Sequence, residues 1–246
     1  MARGRAVLHK VKCKKDTHLD GTRDAKSILN YTQSLNNVDF DQYQADASAA
    51  SIFVKLAFVK EKTAKEFMWG YPLIGIAGEA SEVIELLQKI DEAGETSPEI
   101  RQQLVGEAGD VLWNVAAYTA ARGFSLGDIA KLGMDNTADH PTIHDFQSYV
   151  IRKEDMEEPG FQLMKAAVGL FDHTRIGAIM EESKRTLRDD KLEANPERDQ
   201  RIKTAIANVL VTITLICSAM GITLDEAAEN NIEKCRSIIA SRTPQA

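Results

Sequence analysis

From Leu73 to Ile90 the apolar positions fall at Leu73, Ile76, Ala77, Ala80, Val83, Ile84, Leu87 and Ile90. That three-four spacing lays one continuous stripe along an α-helix. The same rhythm returns at Leu104, Ala108, Val111, Leu112, Val115, Ala116, Thr119 and Ala120. Gly94 and Thr96-Ser97-Pro98 punctuate the interval, with Ser97 and Pro98 placed as N-cap and first residue of the second helix. Gly123 closes that helix, and Ser125 can cap a third beginning near Leu126. No run of β-branched residues alternates with period two, so the pattern predicts an all-α helical bundle.

The pattern also repeats. VLWNVAAYTAARGFSLGDIA (111–130) aligns without a gap on VLVTITLICSAMGITLDEAA (209–228), pairing Gly123 with Gly221 and Leu126 with Leu224. Upstream, Tyr71-Pro-Leu73 matches Phe161-Gln-Leu163, and Phe40-x-x-Tyr43 matches Phe146-x-x-Tyr149, in the same order. Two tandem copies of one helical unit are therefore predicted, 37–142 and 143–246, behind an arm of residues 1–36. The acidic stretch RKEDMEEPG reads as a loop inside the second copy.

Composition narrows the class. A chain of 246 residues with 43% hydrophobic and 27% charged side chains reads as an ordinary globular protein. Three cysteines at unrelated spacings give neither a disulfide scaffold nor a zinc ribbon, and a reduced, cytoplasmic protein is expected. Ala6-Val7-Leu8 is too short for the apolar core of a signal peptide. Thr204 to Leu224 is an uncharged run of 21 residues, long enough to span a bilayer. It contains Asn208, Thr212, Thr214, Ser218 and Gly221, so a buried bundle helix is expected and no membrane partner. The net charge of −7 divides unevenly: residues 1–36 carry eight Lys/Arg against three Asp, which leaves −12 for residues 37–246. Such an arm could touch a polyanion, but it lacks the interleaved aromatics of a single-strand binder, and a solvated tail is expected.

The candidate chemistry lies on the two striped helices. Glu79 and Glu82 on the first, and Glu107 and Asp110 on the second, are each spaced i, i+3, so each pair shares a helical face. Each acid borders a residue of the apolar stripe: Ala80, Val83, Ala108 and Val111. Four carboxylates gathered between packed helices repel one another, and burying each unpaired ion costs several kcal/mol. Protons or cations must neutralise them. An all-oxygen set without His or Cys selects a hard cation, Mg²⁺ or Mn²⁺. Asn114 continues the Asp110 face and Lys89 the Glu82 face. Trp69 and Tyr71, just ahead of the first acidic helix, could stack on a base or wedge the bundle end.

YPLIGIAGEASEVIELLQK followed by QLVGEAGDVLWNVAAYTAARGFSLGDIA resembles the MazG-like all-α nucleoside triphosphate pyrophosphohydrolases. The resemblance runs from about residue 39, where DFDQYQ is similar to the family's opening helix, to about 132. It rests on Gly78-Glu79-x-x-Glu82 and on Gly109-Asp110-Val111-Leu112-Trp113 within Glu-x-x-Asp. It implies Mg²⁺-dependent hydrolysis of an NTP or dNTP to the monophosphate and pyrophosphate. Glu79, Glu82, Glu107 and Asp110 would be the metal ligands and catalytic carboxylates. NNIEKCRSIIASR is similar to the family's asparagine- and lysine-bearing tail helix, which adds Asn231 and Lys234 to Lys89, Asn114 and Trp69 as candidates for substrate binding. In the second copy the four acids align with Gly169, Asp172, Ala205 and Asn208. That half is expected to be degenerate, acting as an intramolecular pseudo-dimer partner, with further homo-oligomerisation open. Within the same fold the alternatives are dUTPase, phosphoribosyl-ATP and ppGpp hydrolysis. Outside it, the alternative is a non-catalytic interaction module whose basic arm docks nucleic acid.

Overall fold

The computed structural model describes residues 38–50, 68–134, 141–153 and 159–242. They form helices α1 (Phe40–Ala50), α2 (Gly70–Ala93), α3 (Pro98–Ala121), α4 (Leu126–Met134), α5 (Ile143–Lys153), α6 (Pro159–Gly169), α7 (Ile176–Arg188), α8 (Pro196–Ala219) and α9 (Leu224–Arg242). Among the described residues there is no strand beyond a single bridge, Asp39 to Thr142, and the fold is an all-α bundle. The arm of residues 1–36 lies outside the described residues, as does 154–158 of the acidic stretch.

The helix boundaries follow from capping chemistry. The Ser97 side chain accepts from the Ile100 N–H at 3.2 Å ahead of Pro98, and the Asn195 side chain accepts from the Arg198 N–H at 3.2 Å ahead of Pro196. α3 and α8 are each 24 residues long. Both end in a turn whose glycine, Gly123 or Gly221, has φ of 71° or 65°, the left-handed region that glycine enters without steric cost. The next helix then opens at Leu126 or Leu224.

A glutamine anchors each of these turns. Gln44 on α1 donates to the Phe124 carbonyl at 2.8 Å and accepts from the Leu126 N–H at 3.2 Å. Gln147 on α5 donates to the Ile222 carbonyl at 3.0 Å and accepts from the Leu224 N–H at 2.8 Å. This pairs Tyr43 with Phe146, one helical turn away from the Phe40–Phe146 match in the sequence. Aromatic residues at i, i+3 fit either register, and only the anchoring glutamine distinguishes them.

Helices distant along the chain pair with one another. α4 packs chiefly on α8, and α9 packs chiefly on α3. A single apolar core results, with Leu104, Ile129, Ile206 and Ile213 fully buried. The uncharged run from Thr204 does not form one rod, because Gly221 breaks it between α8 and α9. α8 is long and apolar enough to cross a membrane, but 67% of its most apolar window is buried in the bundle.

α2 is continuous, whereas the segment after α5 is interrupted. α2 is one helix of 24 residues, whereas α6 stops at Gly169 and α7 begins at Ile176. Arg175, in the break, donates from Nε to the Thr212 hydroxyl at 2.6 Å and from Nη1 to the Gly169 carbonyl at 3.3 Å, and pairs with Asp172.

Candidate metal centre

The stripes of α2 and α3 pack on each other, which sets the acids bordering them along one seam. Glu79, Glu107 and Asp110 each offer a carboxylate oxygen, and these oxygens lie within 4.8 Å of one another. Oxygens about 2.1–2.4 Å from a common centre are at most about 4.8 Å apart, so the set fits a hard divalent cation. All three side chains are half-buried. Glu82 is exposed and stands outside this trio, although its charge is felt by both Glu79 and Glu107.

The crossing of α9 onto α3 completes the arrangement. Asn231 donates from Nδ2 to Asp110 Oδ1 at 2.6 Å, and the Lys234 ammonium pairs with Asp110 Oδ2. Asn231 is 2% exposed, so its amide is fixed by packing as well as by the hydrogen bond. The approach depends on Gly109: a Cβ there would stand 2.5 Å from the Ala227 carbonyl oxygen and 3.1 Å from Asn231 Cβ. The sequence places Gly109 in a motif without indicating which helix it touches.

Burial, followed by the charges of Asp110, Glu82 and Glu107, pushes the Glu79 carboxyl up to about 7, and a hydrogen bond to Glu107 adds to this. Glu107 is also raised by burial and by Glu82 and Asp110, while the bond from Glu79 and the charge of Lys234 hold it down. The hydrogen bond between the two carboxyls thus favours the protonated form of Glu79 and the ionised form of Glu107. Burial works against the Lys234 charge, but Asp110, Glu107 and Glu79 outweigh it and raise its pKa.

A pH dependence of stability follows. The folded state keeps the Glu79 proton between the ordinary value of 4.5 and about 7, so stability falls as pH rises through that window. Asp225, buried away from the trio and pushed up to about 6, acts in the same direction. Thermal unfolding in a chelator is expected to show this decline, and Glu79→Gln should remove its upper part. A melting temperature flat across the window would contradict the shared-proton arrangement.

Trp69, Lys89 and Asn114 are not part of the acidic trio. Trp69 is 6% exposed, packed edge-on to Tyr118 at 6.3 Å and under the Arg122 guanidinium at 5.4 Å. It stands ten residues before Glu79, about 15 Å along the helix. Lys89 pairs with Glu85 at 2.8 Å on the α2 surface, a further ten residues beyond Glu79, because an i, i+4 partner is nearer than the acids. Asn114 is 3% exposed, and its Nδ2 donates to the Asp110 backbone carbonyl at 2.9 Å. Its Oδ1 lies 2.1 Å from where a Gly75 Cβ would be, so it fills the α2–α3 seam. Tyr71 is exposed, and Trp113 packs on the core.

In the second half, Ala205 is 2% exposed and Asn208 donates to the Thr174 carbonyl at 2.9 Å. These two align with Glu107 and Asp110. Beside them, Arg175 Nη1 donates to the Thr174 hydroxyl at 3.2 Å. No family model, curated protein or solved structure matches this sequence.

Proposed function

We propose that this protein is a Mg²⁺-dependent nucleoside triphosphate pyrophosphohydrolase, releasing a nucleoside monophosphate and pyrophosphate. The reading rests on one observation above all: Glu79, Glu107 and Asp110 converge within 4.8 Å beneath a lysine and an asparagine from α9. The sequence resemblance to the MazG-like family supports it. Glu79, Glu107 and Asp110 would hold the cation, with Glu82 at the rim. When bound, a divalent cation supplies charge neutralisation for the triphosphate and polarisation of the phosphorus under attack. Lys234, freed from Asp110, donates to a phosphate oxygen. Asn231 keeps Asp110 oriented through its remaining oxygen. The Glu79–Glu107 pair provides carboxylate oxygens to hold a proton taken from an attacking water.

On this reading the first unit, 37–142, is the catalytic one. The second, 143–246, is a built-in partner whose corresponding position is closed by Arg175. The nucleotide is the substrate partner. The testing experiment is a panel of NTPs and dNTPs incubated with Mg²⁺ or Mn²⁺ and assayed for monophosphate and pyrophosphate. Cation-dependent formation of both products is expected. Release of orthophosphate alone, or no turnover of any member, would contradict the proposal. Turnover confined to dUTP would assign the dUTPase variant of the fold.

A further inference from the structure

Tyr43 lies on α1, which packs on both α3 and α9. It is 1% exposed, and its hydroxyl has no hydrogen-bond partner among the described residues. A buried hydroxyl left unpaired is unfavourable, and native proteins retain few of them. Its surroundings are specific. Cys235 donates to Asn231 Oδ1 at 3.7 Å, and Asn231 donates to Asp110 Oδ1 at 2.6 Å, so the three form a chain ending on the acid cluster. The phenol lies within electrostatic reach of both ends of that chain. Its pKa is raised by burial first, then by Cys235 and Asp110.

Packing alone does not require the hydroxyl. The glutamine anchors match Tyr43 to Phe146, which is also fully buried and carries no oxygen. The Phe146 ring lies against Gly133, where a Cβ would meet its edge at 2.9 Å. Gly133 holds on α4 the place that Asn231 holds on α9, and Asn208 holds on α8 the place of Asp110 on α3. Thus Tyr43, Asn231 and Asp110 accompany the carboxylates, while Phe146, Gly133 and Asn208 occur together where the carboxylates are missing. The oxygen follows the acid cluster and not the fold.

We infer that Tyr43 is a positioning residue for the cation site. Both Asp110 oxygens are engaged here, one by Asn231 and one by Lys234. A cation held by Asp110 would compete with Lys234 for its Oδ2 and leave Asn231 on its Oδ1. The Tyr43 hydroxyl then donates to the Asp110–Asn231 pair and holds that acid in its ligating orientation. The inference rests on the proposed cation site and adds to it a residue from α1.

The test is Tyr43→Phe in the full chain, titrated calorimetrically with Mg²⁺ alone and Mn²⁺ alone, alongside thermal unfolding in a chelator. The chelated melting temperature is expected to stay level or rise, since phenylalanine serves at the matching position and an unpaired hydroxyl is removed. Cation affinity is expected to fall about tenfold, the loss of one hydrogen bond to a charged group. Affinity equal to wild type would overturn the inference while leaving the cation site standing. A fall in the chelated melting temperature with equal affinity would also overturn it, by assigning the hydroxyl to stability. If the wild-type chain binds neither ion, the cation site itself fails, a separate result that removes the basis of the inference.

Discussion

Glu79→Gln is expected to lower Mg²⁺-dependent pyrophosphate release by at least about a hundredfold while leaving the fold intact or firmer. The two effects have opposite signs for one reason. Near neutral pH the Glu79 carboxyl is strained by burial and by three neighbouring negative charges, which push it up to about 7. Glutamine keeps the shape and can still donate to Glu107, so it removes the repulsion without opening a cavity. It cannot supply an anionic ligand, so cation binding and turnover are lost. Steady-state hydrolysis with thermal unfolding in a chelator measures both. A non-catalytic interaction module has no such activity to lose. Glu79→Gln with full turnover would show that the carboxylates are not the catalytic centre.

Gly109→Ala should be costly in both respects. The added methyl would stand 2.5 Å from the Ala227 carbonyl oxygen, which belongs to α9 backbone and cannot rotate away. α3 and α9 must separate, at a cost of about 1–3 kcal/mol of stability for such overpacking. Because α9 carries Asn231 and Lys234, the separation also draws both from Asp110, and turnover should fall further than stability alone explains. Gly106→Ala and Gly78→Ala are the controls. Both lie within helices with nothing near the added Cβ, so they should be neutral or stabilising by up to about 1 kcal/mol. Urea unfolding of the three variants tests the claim. Three equal stabilities would contradict the close approach of α3 and α9.

The all-α class was legible because the stripes of α2 and α3 are long and regular, and Ser97-Pro98 and Gly123 punctuate them in the usual chemical language of caps. Glu79, Glu107 and Asp110 were legible as a group because two spaced pairs border two apolar stripes that have to pack together. Glu82 shares the spacing but not the position: i, i+3 fixes a shared face only loosely, and on α2 that face turns outward by Glu82. Trp69, Lys89 and Asn114 illustrate a different limit. Periodicity tells which side of a helix is apolar but not which neighbour covers it. The buried Arg122 over Trp69, the Glu85 partner of Lys89 and the bare backbone of Gly75 facing Asn114 are visible only in three dimensions. In the sequence Tyr43 is only half of an aromatic pair, and its hydroxyl stands out only where the glutamine anchors match it to Phe146. Nothing in the sequence pattern marks Arg175, because its contacts depend on the break between α6 and α7.

The most direct measurement is a Mn²⁺ titration of the chelator-stripped protein near neutral pH, followed by calorimetry in two buffers of different protonation enthalpy. Saturable binding at one location per chain is expected, with release of up to about one proton as the ion replaces the one shared by Glu79 and Glu107. Both signals should vanish when those two residues are changed together to glutamine. Absence of saturable binding, or binding undiminished in the double variant, would mean that the three converging acids are neutralised by their proton and by Lys234 alone, and the proposed chemistry would have no centre.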